Sequence, residues 1–178
     1  MINRPDVTIV TIDGKSPQIA DSAFIAPGCR LIGDVHVGEN ASIWYNTVIR
    51  ADVDRIVIGA RSNIQDGSVV HCDHGVPTII GEDVLIGHMA MVHGCTLHDR
   101  AFVGLGAIVM NHCIIEGDAM LAAGAMLTER KHMLSGELWG GRPAVKMRDL
   151  PEKAIMGMRM GTAHYVENGK RHRAALGG

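Results

Sequence analysis

The sequence predicts a mainly β fold built from short strands of a six-residue repeat and finished by a C-terminal α-helix. Three observations point there. Aliphatic residues recur six apart between residues 25 and 127, a series of small residues runs two positions ahead of them, and the chain changes character after residue 135.

The chain opens with "MINRPDVTIVTIDGKSPQ", which lacks the basic start, apolar run and small-residue cleavage site of a signal peptide. No apolar stretch approaches the length of a membrane span, so a cytoplasmic protein is expected. The repeat then runs through Ile25, Leu31, Val37, Ile43 and Ile49, breaks at "ADVDR", and resumes at Ile58, Ile64 and Val70. A second break, "CDHGVPT", precedes Ile80, Ile86 and Val92, and one five-residue step leads on to Leu97, Val103, Val109, Ile115, Leu121 and Leu127. All seventeen slots hold Ile, Leu or Val.

Two residues before each slot lies Ala23, Cys29, Val35, Ala41, Thr47, Ile56, Ser62, Ser68, Thr78, Val84, Ala90, Cys95, Ala101, Ala107, Cys113, Ala119 or Ala125, small or medium in every case but Ile56. Strand side chains alternate between faces, so i−2 and i share the interior while i−1 and i+1 point outward. The period is too short for helical repeats. Residues 1–135 therefore form the repeat body with its lead-in, and residues 136–178 a connector and helix, within a single domain overall. In that tail Asp149 is expected to cap a helix with Pro151 early in it, and Ile155, Met158, Met160 and Tyr165 to supply its apolar side. The helix is expected to fold back over one face of the repeat body or a subunit boundary.

The composition narrows the functional classes. With 178 residues and 47% hydrophobic content the chain can bury a real core, while only 3% aromatics against 22 glycines suggests a narrow, aliphatic interior. Seventeen basic and nineteen acidic residues leave a net charge of −2, and no Lys/Arg block suggests nucleic acid or a membrane surface. Small molecules or other protein chains are the expected partners. Of the four cysteines, Cys29, Cys95 and Cys113 occupy inward slots and read as core filler, and Cys72 reads as a support behind His71 or a bystander beside it rather than a ligand.

The repeat over roughly residues 20–130 resembles that of the hexapeptide-repeat proteins. The resemblance implies a left-handed parallel β-helix, in which three short strands make one triangular coil and each coil buries its neighbour's aliphatic layer. Read in that register, Arg50, His71 and His93 each directly follow a slot on the same side and stack outward in successive coils. Strands lie about 4.8 Å apart, and two nitrogens on a tetrahedral zinc about 3.3 Å apart, so His71 and His93 can lean onto one metal. His88, two past Ile86 at a corner, lies about 16 Å away along extended chain and cannot complete that site. A neighbouring chain packed about a three-fold axis would bring its own Gln65, Asp66 and His88 opposite Arg50, His71 and His93.

"RADVD" with Arg50 and Asp52, "RSNIQDGSVVH" with Asn63, Gln65, Asp66 and His71, and "IGHMAMVHGC" with His88 and His93 together resemble the γ-class carbonic anhydrases. The resemblance implies a homotrimer with Zn2+, or alternatively Fe2+ or Co2+, held by His71, His88 and His93 between adjacent chains. It further implies hydration of CO2 to bicarbonate by a metal-bound hydroxide that Gln65 orients, with Asn63 helping to hold the site. Arg50 reads as an interfacial clamp, paired with Asp66 across chains and with Asp52. Val53 follows Asp52 and the loop after His71 carries no glutamate, which leaves Asp73 or His74 as the proton carrier, histidine being suited to proton transfer near neutrality. Tyr165 is expected to reach the site from the C-terminal helix. Two alternatives stand beside this: "GGRPAVKMR" resembles the closing segment of hexapeptide acyltransferases, which keeps an acyltransferase or acyl-CoA thioesterase-like enzyme in play, and a trimer can also bind metal without catalysis.

Overall fold

The computed structural model describes residues 6–177, which wind into a parallel β-solenoid of about seven turns followed by one long helix. Its three sides are two sheets. One is twelve-stranded and covers two sides because the strands Arg30–Val37 and Val48–Ile58 run on around a corner; the other is eight-stranded.

The aliphatic slots become ladders. On one side Leu31 pairs with Ile49, Ile49 with Val70, Val70 with Val92, Val92 with Val109, and Val109 with Leu127. On the eight-stranded side Ile25, Ile43, Ile64, Ile86, Val103 and Leu121 stack in the same way. Every one of the seventeen slots is buried, and so is every residue two positions ahead of it. The third ladder continues one step further than the repeat reading carried it, to Met133. At the corners the chain reverses through left-handed residues, Asn46 (φ 61°) and Met89 (φ 58°) among them.

The stack does not end in a plain connector. Glu137–Gly141 extends the eight-stranded sheet and then turns back as an antiparallel hairpin with Ala144–Asp149, so the last coil edge is paired rather than left open. That hairpin also decides the helix start. Asp149 pairs opposite Glu137 and meets Lys146 at 2.9 Å, so it does not cap; the helix α1 runs Glu152–Ala175 with Pro151 at its N-cap and no side-chain cap. Pro151 needs no N–H there.

Helix α1 lies back over the eight-stranded sheet, against the strands around Phe24, Ser42, Asn63 and Leu85. Its buried positions are Met158, Thr162 and Gly169, with Tyr165 half-buried between them. Met160, expected on the apolar side, is 70% exposed because it falls on the opposite face from Met158. Tyr165 and His172 both meet Trp44 edge-on, at 5.3 and 4.9 Å between ring centres, and His172 Nδ1 lies 2.9 Å from the Tyr45 hydroxyl. His172 is therefore part of the helix seat. Arg159 grips Asp118 with two bonds, of 3.0 and 2.9 Å. Among the described residues no helix is long and apolar enough to cross a membrane.

Candidate metal centre

The ladder puts His71 and His93 directly opposite each other on neighbouring strands, Val69–His71 and Met91–His93. Both follow a buried valine, so alternation turns both imidazoles outward. His71 Nδ1 lies 3.0 Å from His93 Nε2. Each ring is also held from behind. His71 Nε2 is 3.0 Å from Asp52 Oδ1, and His93 Nδ1 is 2.6 Å from Asn111 Oδ1.

These contacts decide whether the donors suit a metal. Asn111 Nδ2 donates to Asp73 Oδ2 at 2.6 Å, which fixes the amide so that its oxygen faces His93 and accepts an N–H there. Asp52 likewise accepts the N–H of His71 Nε2. With both imidazoles neutral, the two nitrogens that face each other carry lone pairs. A proton or a cation must sit between them, and their 3.0 Å separation is close to the ~3.3 Å of two ligands on one tetrahedral cation. The pair fits a borderline-soft divalent ion, and each ring has the outer partner that metal-ligating histidines characteristically use.

Asp52 is itself anchored, since Arg50 Nη1 donates to its Oδ2 at 2.5 Å. Burial pushes the Asp52 carboxyl up, but the bonds from His71 and Arg50 outweigh it and hold the group below the ordinary range. Within its own chain Arg50 pairs with Asp52, and His88 Nδ1 lies 2.8 Å from Asp66 Oδ2.

His88 and Asp66 belong to a different part of the molecule. They lie two residues past Leu85–Ile86 and Asn63–Ile64, strands of the eight-stranded sheet, whereas His71 and His93 sit on the twelve-stranded one. Gln65 stands beside Asp66, almost fully buried, with its Nε2 donating to Asn63 Oδ1 at 3.0 Å. Tyr165 is on this side too: burial raises its phenol pKa, and the Asp66 carboxylate adds to the rise. Among the described residues no three His, Cys, Asp or Glu side chains of one chain are arranged to hold a metal ion. The structure joins His71 with His93 and keeps His88 apart.

Asp73 and His74 are exposed in the loop after His71, with Asp73 engaged by Asn111. Two residues escaped the sequence reading. Asn111 sits two past a slot, where it reads as an ordinary corner residue. Glu129, two past Leu127, lines a depression of about 250 Å³ together with His93, Asn111, Met91, Ile108 and Met110. The outward i+2 register that groups Asn111 with Glu129 was available in the sequence. All four cysteines are free and buried; burial pushes the Cys29 thiol up to about 11, and Cys72 donates to the Asp54 carbonyl at 3.3 Å.

Known proteins resemble this chain in sequence and in fold. Residues 16–51 match the family model described as bacterial transferase hexapeptide (six repeats). The mitochondrial gamma carbonic anhydrase 2 of Arabidopsis thaliana is 39% identical over 171 residues, 93% of this chain; the chain spans 62% of that protein's length. A carbonic anhydrase of Geobacillus kaustophilus is 42% identical over 90% of this chain and 88% of its own. Among solved structures, a hexapeptide transferase family protein from Anaplasma phagocytophilum superposes with a TM-score of 0.89 at 47% identity, covering 92% of this chain and 96% of that one. With the repeat and these relatives in agreement, the chain belongs to the γ-class carbonic anhydrase-like family of hexapeptide-repeat proteins.

Proposed function

We propose that the protein catalyses the reversible hydration of CO2 to bicarbonate in the cytoplasm. In this reading a homotrimer holds a divalent cation, Zn2+ or alternatively Fe2+ or Co2+, between His71 and His93 of one chain and His88 of the adjacent one. The observation that carries it is the pair of facing imidazole nitrogens, 3.0 Å apart, with both outer nitrogens already bonded. A bound cation would supply Lewis acidity that brings the pKa of water down to about 7.

The remaining work falls to this chain's own groups. Gln65 spends its amide N–H on Asn63, which leaves its Oε1 to accept a hydrogen bond and orient the attacking water. Arg50 holds Asp52, and Asp52 holds the His71 ring. The apolar side chains that line the depression at His93 suit CO2, which has no charge and no N–H or O–H to satisfy. Asp73 or His74 carries the released proton outward, and Glu129 offers a second route. Tyr165, beside the Asp66 half, closes that side.

The experiment is metal analysis with stopped-flow CO2 hydration after anaerobic reconstitution with Zn2+ or Fe2+, on wild type and on mixtures of His71→Ala and His88→Ala chains. About one cation per chain with activity is expected, and mixed trimers should regain some intact sites. No recovery on mixing would place each site within one chain. The relative named as a hexapeptide transferase supports a second reading, acyl transfer or acyl-CoA hydrolysis; a metal-free trimer that binds coenzyme A would favour it.

A further inference from the structure

The geometry points to Asn111 and Asp73 as a two-residue relay that sets the tautomer of His93 and thereby the strength with which the site takes a cation. The inference rests on the metal reading above, and it assigns positioning roles to residues that never touch the cation. A neutral imidazole can carry its proton on either nitrogen, and only the other nitrogen can bind a metal. For His93 the nitrogen facing His71 is Nε2, so the proton has to stay on Nδ1. The acceptor that keeps it there is Asn111 Oδ1, at 2.6 Å.

An asparagine alone would be ambiguous, because flipping its amide would present N–H to His93 and drive the proton to the wrong nitrogen. Asp73 removes the ambiguity. Its carboxylate accepts Asn111 Nδ2 at 2.6 Å and cannot donate, so the flipped amide would set oxygen against oxygen. Asp73 lies 38 residues before Asn111 and is presented by a short loop closed by reciprocal backbone bonds between Asp73 and Val76. The approach is tight. A Cβ on Gly94, which has φ +52°, would fall 2.3 Å from Asn111 Oδ1, so the glycine after His93 makes room for the amide.

The arrangement differs from that behind His71, where a carboxylate meets the ring directly and Arg50 balances its charge. At His93 a neutral amide is interposed between ring and carboxylate. What matters is that the group facing the ring accepts and is held so by its partner at position 73, and that can be rebuilt with the two side chains exchanged.

The test uses full-length chains: wild type, Asn111→Ala, Asn111→Asp, and the exchange Asp73→Asn/Asn111→Asp. Two readouts are taken. Zn2+ affinity comes from competition with a chromophoric chelator, alongside the visible spectrum of the Co2+ form. The His93 tautomer comes from long-range 1H–15N spectra of the metal-free protein with labelled histidine. Asn111→Ala should lose the Nδ1–H signature and bind Zn2+ roughly 10- to 100-fold more weakly, the usual cost of removing an outer partner. Asn111→Asp alone sets two carboxylates against each other and should also weaken binding. In the exchange the new amide at position 73 donates to the new carboxylate at position 111, which in turn accepts from His93. That double variant should restore both the signature and most of the affinity.

Wild-type affinity and Co2+ spectrum in Asn111→Ala, or an exchange no better than Asn111→Ala, would overturn the relay. If wild-type protein takes up no cation while the tautomer still follows position 111, the metal reading fails and with it the effect on affinity, while the control of the tautomer stands.

Discussion

Helix α1 contains three glycines whose surroundings differ step by step, and that gradation predicts a stability series. A Cβ on Gly157 would meet nothing within 4 Å; on Gly161 it would lie 3.6 Å from Leu85 Cδ1; on Gly169 it would lie 3.3 Å from Phe24 Cβ and 3.5 Å from Ser42 Cβ. All three have helical backbone, so alanine recovers about 0.8–1.0 kcal/mol of propensity at each. For Gly157→Ala that gain stands alone. Gly161→Ala keeps it, because 3.6 Å is ordinary contact with a movable side-chain end. At Gly169 the neighbours are Cβ atoms fixed to the backbone of two strands, so the helix itself has to lift. Overpacking of this kind costs about 1–3 kcal/mol, which cancels or reverses the gain. The expected order of stability is Gly157→Ala and Gly161→Ala above wild type, with Gly169→Ala at or below it. In a chain of this size about 1 kcal/mol moves Tm by roughly 2–4 °C. Trp44, which touches Tyr165 and His172, reports helix docking by fluorescence once Trp139 is replaced by phenylalanine. A Gly169→Ala protein as stabilised as Gly157→Ala would refute the claim that the helix is seated through that glycine.

Two further outcomes concern charge. Burial raises the Asp118 carboxyl, but the bonds from Arg159 and the charge of Arg100 more than offset it, so the folded value lies below the ordinary one. Its contribution is therefore present above the ordinary carboxylate pKa of about 3.9 and is lost as pH falls through the depressed value; Trp44-monitored melts of wild type and Asp118→Asn should differ above about pH 4 and converge below. Glu129→Gln should leave metal content unchanged but slow CO2 hydration roughly 100-fold in weak buffer, with recovery on adding imidazole. An unchanged rate in weak buffer would remove Glu129 from the proton path.

The interior was legible in the sequence because a six-residue period reports directly which side chains point inward, and the same period aligns His71 with His93. What it did not reveal has no period. The hairpin 137–149 forms where the repeat stops, and its pairing depends on a turn rather than on a slot. Asp149 reads as a helix cap in isolation, yet the hairpin claims it first. The bond from Asn111 to Asp73 spans 38 residues and joins two outward positions, so no local pattern announces it. The one-past-slot rule found the two imidazoles, whereas their supports lie two past a slot, as Asn111 does, or in a break of the repeat, as Asp52 and Asp73 do.

The ladder pairing has a consequence for how the molecule comes apart. Each coil touches only the coils above and below it, so opening costs one rung at a time and starts at the ends. Asn63 through Asn111, which carry both halves of the candidate site, occupy the middle rungs. One end of the stack is finished by the hairpin, and α1 runs as a strut from that hairpin back to Phe24 near the other end. A breathing solenoid of this design frays outward from a closed centre, and its imidazole pair is among the last features to lose its register.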